Sequence, residues 1–105
     1  MRRALRTDSN EREITAALRK LGASVVHINA MTAGVPDLLV GLYGRNWLIE
    51  VKMPKTGRLS DSQNKWRDEW RGSRPFVIHD AADVVAFVGL VRLLPQEKKH
   101  HEIHK

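Results

Sequence analysis

The chain predicts an α/β fold: a mixed central sheet flanked by helices, in the order α-β-β-β-α-β with an extra C-terminal helix. Three observations carry this prediction. An amphipathic period opens the chain and an apolar helix closes it. Short β-branched and aliphatic runs fill the interior, each bounded by Gly, Pro or Asn. The second and third of these runs are joined by a link too short for a crossover, so they pair antiparallel, and helices on the sheet faces complete a layered architecture.

The first helix is read from Asn10, where Ile14, Ala17, Leu18 and Leu21 fall on one face. Ser9 or Asn10 serves as its cap, Glu11 and Glu13 suit its first turn, and Gly22 ends it. Ser24 to Asn29 is the first strand, and Ala30 to Val35 a loop. Pro36 to Gly41 forms the second strand, with proline tolerated at its beginning. A turn over Tyr43 to Asn46 leads into a third strand, Trp47 to Met53, which Pro54 closes. After a loop over Lys55 to Leu59, Ser60 and Gln63 have the spacing of a capping box, and a helix runs on through Trp66 and Trp70 to Gly72. Pro75 to His79 is the fourth strand. Asp80 to Asp83 starts the last helix, which carries Val84, Val85, Phe87, Val88, Val91 and Leu94.

At 105 residues the chain is one domain, 1–105, with room for one core. Residues 1–9 read as a basic N-terminal arm, and residues 96–105 as a frayed, histidine-rich tail. The absence of cysteine excludes disulfide scaffolds, thiolate metal sites and a cysteine nucleophile. No apolar run approaches a membrane span and no signal-peptide core is visible, so the expected location is the cytoplasm, away from membranes. Eighteen Lys and Arg against twelve Asp and Glu give a net charge of +6. That excess points to an anionic partner, of which nucleic acid is the commonest.

Chemistry concentrates in the second and third strands. Asp37 stands thirteen residues before Glu50, and the turn near Gly44 bisects that span, so the two carboxylates become cross-strand neighbours. Glu50 and Lys52, two apart, share one face of the sheet. Carboxylates brought together repel unless a cation shares the site, and a hard divalent ion with oxygen ligands resolves that repulsion. Lys52 adds positive charge where a phosphate transition state gains negative charge. A Glu-x-Lys triplet alone is better read as a solvated salt bridge; the Pro36-Asp37 pair at this distance, within this element order, reverses that judgement.

Pro36-Asp37 followed by Glu50-x-Lys52 resembles the motif of the PD-(D/E)xK nuclease superfamily, and the chain is most similar there to stand-alone, virus-type VRR-NUC domains. Gly34-Val35-Pro36-Asp37-Leu38, Ile49-Glu50-Val51-Lys52, Gly57-Arg58-Leu59-Ser60 and Gln63 carry the likeness, which runs from about Glu11 to the last helix. It implies a restriction-endonuclease-like core and an Mg²⁺- or Mn²⁺-dependent endodeoxyribonuclease. Asp37, Glu50 and the Val51 carbonyl would ligate the ion, and Lys52 would position or polarise the attacking water. A first-helix glutamate is also implied, as a further catalytic acid and metal ligand. Glu11 fits it, being aligned with Ile14 and Leu18, whereas Glu13 is offset from that stripe; a first-turn dipole partner is the alternative for Glu11. Gln63 matches a second-helix position near the metal centre and is explained equally well by the capping box. Thr15 stands where the family often has Gln, a departure touching the helix's assistance and not the metal site.

Lys55 and Arg58, in a basic loop beside this strand, are expected DNA contacts. Lys65 is a further candidate, although it can pair with Glu69 at i, i+4, and at least half of the basic helix residues are expected to be solvated. Trp66 and Trp70 lie one turn apart, a spacing more often found in cores and interfaces than in base stacking. Trp47 reads as core, and His27 and His79 as structural. His100, His101 and His104 lie in a polar tail with no scaffold to organise a metal. A small chain with no target-reading domain suits recognition of DNA shape, such as a branched Holliday junction, and symmetric cutting requires a homodimer. The last helix, through Phe87, Val88 and Val91, or the Trp66/Trp70 helix would supply the dimer face. The alternative is a non-catalytic or partner-dependent DNA-binding module on the same fold; degenerate members usually lose a carboxylate or the lysine, and here all three are present.

Overall fold

The computed structural model describes residues 3–54 and 57–95, with residues 3–9 described as backbone only. The elements are α1 (Arg3–Lys20), β1 (Ser24–His27), β2 (Leu38–Leu42), β3 (Arg45–Val51), α2 (Asp61–Glu69), β4 (Phe76–Ile78) and α3 (Ala81–Arg92). The expected element order is therefore found. The first helix is longer than expected and begins at Arg3 rather than at a cap on Ser9 or Asn10. Nothing from Arg3 to Ser9 breaks a helix, and Ala4, Leu5 and Arg6 are strong helix formers. β1 stops at His27 rather than Asn29, and α2 stops at Glu69 rather than Gly72.

The sheet order is β1-β2-β3-β4, antiparallel across its first two pairs and parallel between β3 and β4. β2 and β3 are joined by a two-residue turn in which Tyr43 and Gly44 both have positive φ, 54° and 76°. Such turns match the twist of the flanking strands, and this one sets the register Leu42↔Arg45 through Leu38↔Ile49.

That register divides the sheet into two unlike faces. Leu38, Val40, Trp47, Ile49, Val51 and Ile78 alternate onto one face and join Ile14 and Leu18 of α1 with Val84, Phe87, Val88 and Val91 of α3 in one buried cluster. Trp47 is core, as expected, packed edge-on against Phe76 and Phe87. Phe87, Val88 and Val91 are spent inside this chain's own core and cannot form a dimer face. The exposed apolar residues of this region are Val85, Leu90, Leu93 and Leu94. The opposite face carries Leu39, Leu48, Glu50 and Lys52 by the same alternation. Among the described residues α2 is the element that leans over it, and no α2 residue is buried.

Candidate active site

The register that pairs Leu38 with Ile49 sets Asp37, one residue earlier, beside Glu50. Asp37 continues the strand by other means: its Oδ2 accepts the Val51 N–H at 2.7 Å. A residue's N–H and C=O leave a strand on the same side, so the Val51 carbonyl also faces the Asp37 side of β3. Lys52 N–H points the other way, to the Ile78 carbonyl at 3.0 Å. The end of β3 thus offers two carboxylates and a backbone carbonyl along one side, with Lys52 just beyond.

Glu50 is only 3% exposed. Burial pushes its carboxyl up from an ordinary 4.5 to about 9, the hydrogen bond and charge of Asp37 push the same way, and Lys52 and Arg67 pull it back. The protein therefore does not by itself satisfy a second negative charge here. Hard oxygen donors with an excess of negative charge fit a divalent cation of the Mg²⁺ or Mn²⁺ type. Among the described residues, no group of three or more His, Asp or Glu side chains gathers at one point, so a cation here would rest on two carboxylates and backbone or solvent oxygens.

Gln63 combines its two readings. Its Oε1 accepts the Ser60 N–H at 2.8 Å, its own N–H donates to Ser60 Oγ at 3.2 Å, and its Nε2 donates to Glu50 Oε2 at 2.6 Å. One amide caps α2 and orients the buried acid. The helix comes close enough because of Gly34, which has φ +83° and lies in the loop before β2. A Cβ there would stand 2.4 Å from the Ser62 carbonyl oxygen and 3.1 Å from Trp66 Cβ.

Glu11 is buried at 8% exposure, with His27 Nδ1 2.7 Å from its Oε2. His27 pairs with Leu38 and shares that residue's face, so Glu11 meets the sheet from the α1 side, opposite Glu50. Arg58 lines a cavity of about 160 Å³ with Lys52 and Asn10. Lys65 is exposed and sits 3.9 Å from Glu69. Lys55 lies outside the described residues, as do His100, His101 and His104. His79 is structural: its N–H donates to Asp83 Oδ2 at 2.9 Å, and its Nδ1 lies 2.8 Å from the same oxygen.

Two neighbours of the site escape a reading of the sequence. Asn10 Nδ2 donates to the Lys52 carbonyl at 3.0 Å, across 42 residues of chain. Arg67 acts on Glu50 by charge and donates to the Pro75 carbonyl at 3.0 Å. Its one available signal was spacing: Gln63, Trp66 and Arg67 lie at i, i+3, i+4 on a single helical face.

No protein-family model matches the chain, and no curated protein matches it. Among solved structures it is similar to one described as a VRR_NUC domain, with 24% identity, a TM-score of 0.64, and coverage of 78% of this chain and 92% of the other. Element order, sheet topology and this likeness agree, and the chain has the restriction-endonuclease-like α/β fold that it shares with that VRR_NUC domain structure.

Proposed function

We propose that the protein is a metal-dependent, structure-specific DNA endonuclease of the VRR-NUC type, acting in the cytoplasm as a homodimer on branched DNA such as a Holliday junction. The observation that carries this reading is the pairing of half-buried Asp37 with buried Glu50, with Lys52 on the Glu50 face and Gln63 hydrogen-bonded to the Glu50 carboxyl. Asp37, Glu50 and the Val51 carbonyl would hold Mg²⁺ or Mn²⁺. When bound, the cation supplies charge neutralisation at the phosphoryl oxygens and acidification of water.

The chain's own groups do the rest. Lys52 orients the water that attacks phosphorus in line and offsets charge gathering on the phosphoryl oxygens. The bond to the 3′ oxygen breaks, that oxygen takes up a proton, and a 5′-phosphate remains. Gln63 holds Glu50 in place, and Asn10 fixes the backbone at Lys52. Glu11, held by His27, is an outer acid on the α1 side. Arg58, Lys65 and Lys55 are assigned to the DNA backbone, with support for Arg58 from its place in the cavity beside Lys52. The exposed apolar residues on and just after α3, with Leu93 at 81% exposure, support a surface where a second copy docks.

The test is a panel of labelled duplex, flap, splayed and four-way junction DNAs with Mg²⁺ or Mn²⁺. Wild-type protein is expected to cut branched forms, with paired symmetric nicks on the four-way junction. Glu50→Ala and Lys52→Ala are each expected to lose about 10³-fold in rate while keeping the fold by circular dichroism. Undiminished cleavage by Glu50→Ala overturns the assignment.

A further inference from the structure

We propose that the groove between Trp70 and the open face of the sheet receives an unpaired nucleobase of the DNA substrate. The proposal rests on the endonuclease reading above and supplies that site with a physical basis for preferring opened DNA.

Trp66 and Trp70 are stacked, with ring centroids 4.6 Å apart and planes 16° from parallel. Neither belongs to the hydrophobic core, and Trp70 is 47% exposed. Stacking on Trp66 covers one face of the Trp70 ring and leaves the rest of it at the surface. The indole lies close over the following turn: a Cβ at Gly72 would fall 2.7 Å from Trp70 Nε1 and displace the ring.

Trp70 forms one wall of a groove of about 250 Å³ whose other lining residues include Leu39, Leu48, Asn46 and Ser73. The walls are aromatic and aliphatic, suited to a flat ring. Asn46 and Ser73 add donors and acceptors that can meet a base edge. Arg71, next to Trp70, forms no ion pair among the described residues and is available for a phosphate. An aromatic wall beside cationic charge is the combination by which proteins hold single-stranded nucleic acid.

Position makes the groove relevant to cleavage. Asn46, Leu48 and Glu50 alternate onto the same face of β3. At the rise of a strand, Leu48 lies about 7 Å and Asn46 about 14 Å from Glu50. At a stacked spacing of about 3.4 Å, that is two to four nucleotides from the scissile phosphate. A base inside a duplex is paired and stacked on both sides and cannot enter; a base in a splayed or junction strand can.

The experiment measures binding in EDTA, by anisotropy of labelled DNA, for three probes: a full duplex, a splayed duplex, and the same splayed duplex with abasic sites in the opened strand near the fork. Wild-type protein is expected to prefer the splayed probe, and the abasic sites to weaken it roughly ten-fold. Trp70→Ala is expected to lower the splayed-to-duplex affinity ratio by a similar factor and to be indifferent to the abasic sites, while Trp70→Phe retains most of the preference. The proposal is overturned if abasic sites cost wild-type protein nothing. It is also overturned if Trp70→Ala lowers all three affinities equally, or converts a dimer to a monomer in sedimentation, which would make the groove a contact between copies. Failure of the endonuclease reading looks different: wild-type protein would cut no probe when Mg²⁺ is restored, whatever its binding preference.

Discussion

The two faces of the sheet are built on opposite principles, and the boundary between them runs along single strands. In β3, Ile49 is fully buried in the apolar cluster that α1 and α3 form with the sheet, where Glu11 and Thr15 of α1 are the buried polar residues among those described. Glu50, the next residue, is almost as inaccessible, yet it lies among Asp37, Gln63, Lys52 and Arg67. One face holds the fold together by apolar burial. The other is covered by a helix with no buried residue, held by the Gln63–Glu50 and Arg67–Pro75 hydrogen bonds and one close approach at Gly34. Apolar packing and the proposed chemistry thus lie mainly on opposite sides of the same backbone, Glu11 being the exception.

Substitution of neighbours tests this division most directly. Ile49→Ala removes a fully buried side chain and is expected to cost about 2–5 kcal/mol, read as a lower denaturant midpoint with an unchanged slope. A cost below about 1 kcal/mol would mean that the α1/α3 face is not the main source of stability.

Gly34→Ala acts on the other face. Positive φ and a Cβ 2.4 Å from a backbone oxygen force α2 outward, at an expected cost of about 1–3 kcal/mol. The sharper readout is loss of the Gln63–Glu50 hydrogen bond, visible as a shifted Gln63 side-chain amide resonance. An unmoved resonance would show that α2 does not depend on this approach.

A third effect, gradual because it is spread over several pH units, comes from Glu50 itself. In metal-free protein the folded state keeps a proton between 4.5 and about 9 that the unfolded chain has lost. The contribution is complete below 4.5 and declines as pH rises through that window, by up to about 1.4 kcal/mol per pH unit. Glu50→Gln is expected to flatten this slope in melting curves between pH 5 and 9. Equal slopes for the two proteins would place the titrating group elsewhere.

These contrasts also show what the sequence could reveal. Strand alternation separates Ile49 from Glu50 without a structure, and the thirteen-residue spacing brings Asp37 to Glu50, because both follow from short-range geometry. α3 is harder to read: its buried Val84, Phe87, Val88 and Val91 fall at i, i+3, i+4, i+7, but exposed Val85 and Leu90 widen the apolar surface and blur the edge of that stripe. The Glu11–His27 pair and the Asn10–Lys52 hydrogen bond join distant segments that only packing brings together. The Arg67 bond to the Pro75 carbonyl and its charge on Glu50 depend on how α2 packs, which propensity does not encode. Gln63 was legible as a cap, but its second bond required the position of Glu50.

At Asp37 the carboxylate stands in for a rung of the ladder. One oxygen is spent on the Val51 N–H and the other is left for the rest of the site, so the side chain's aim is set by the end of a strand rather than by its own rotamers. Asparagine at this position has the same shape but inverted polarity: its oxygen can keep the rung, and its amide then turns two hydrogens toward the place where a cation would sit. The strand end works as a polarity filter, accepting two residues as structure and only one as chemistry.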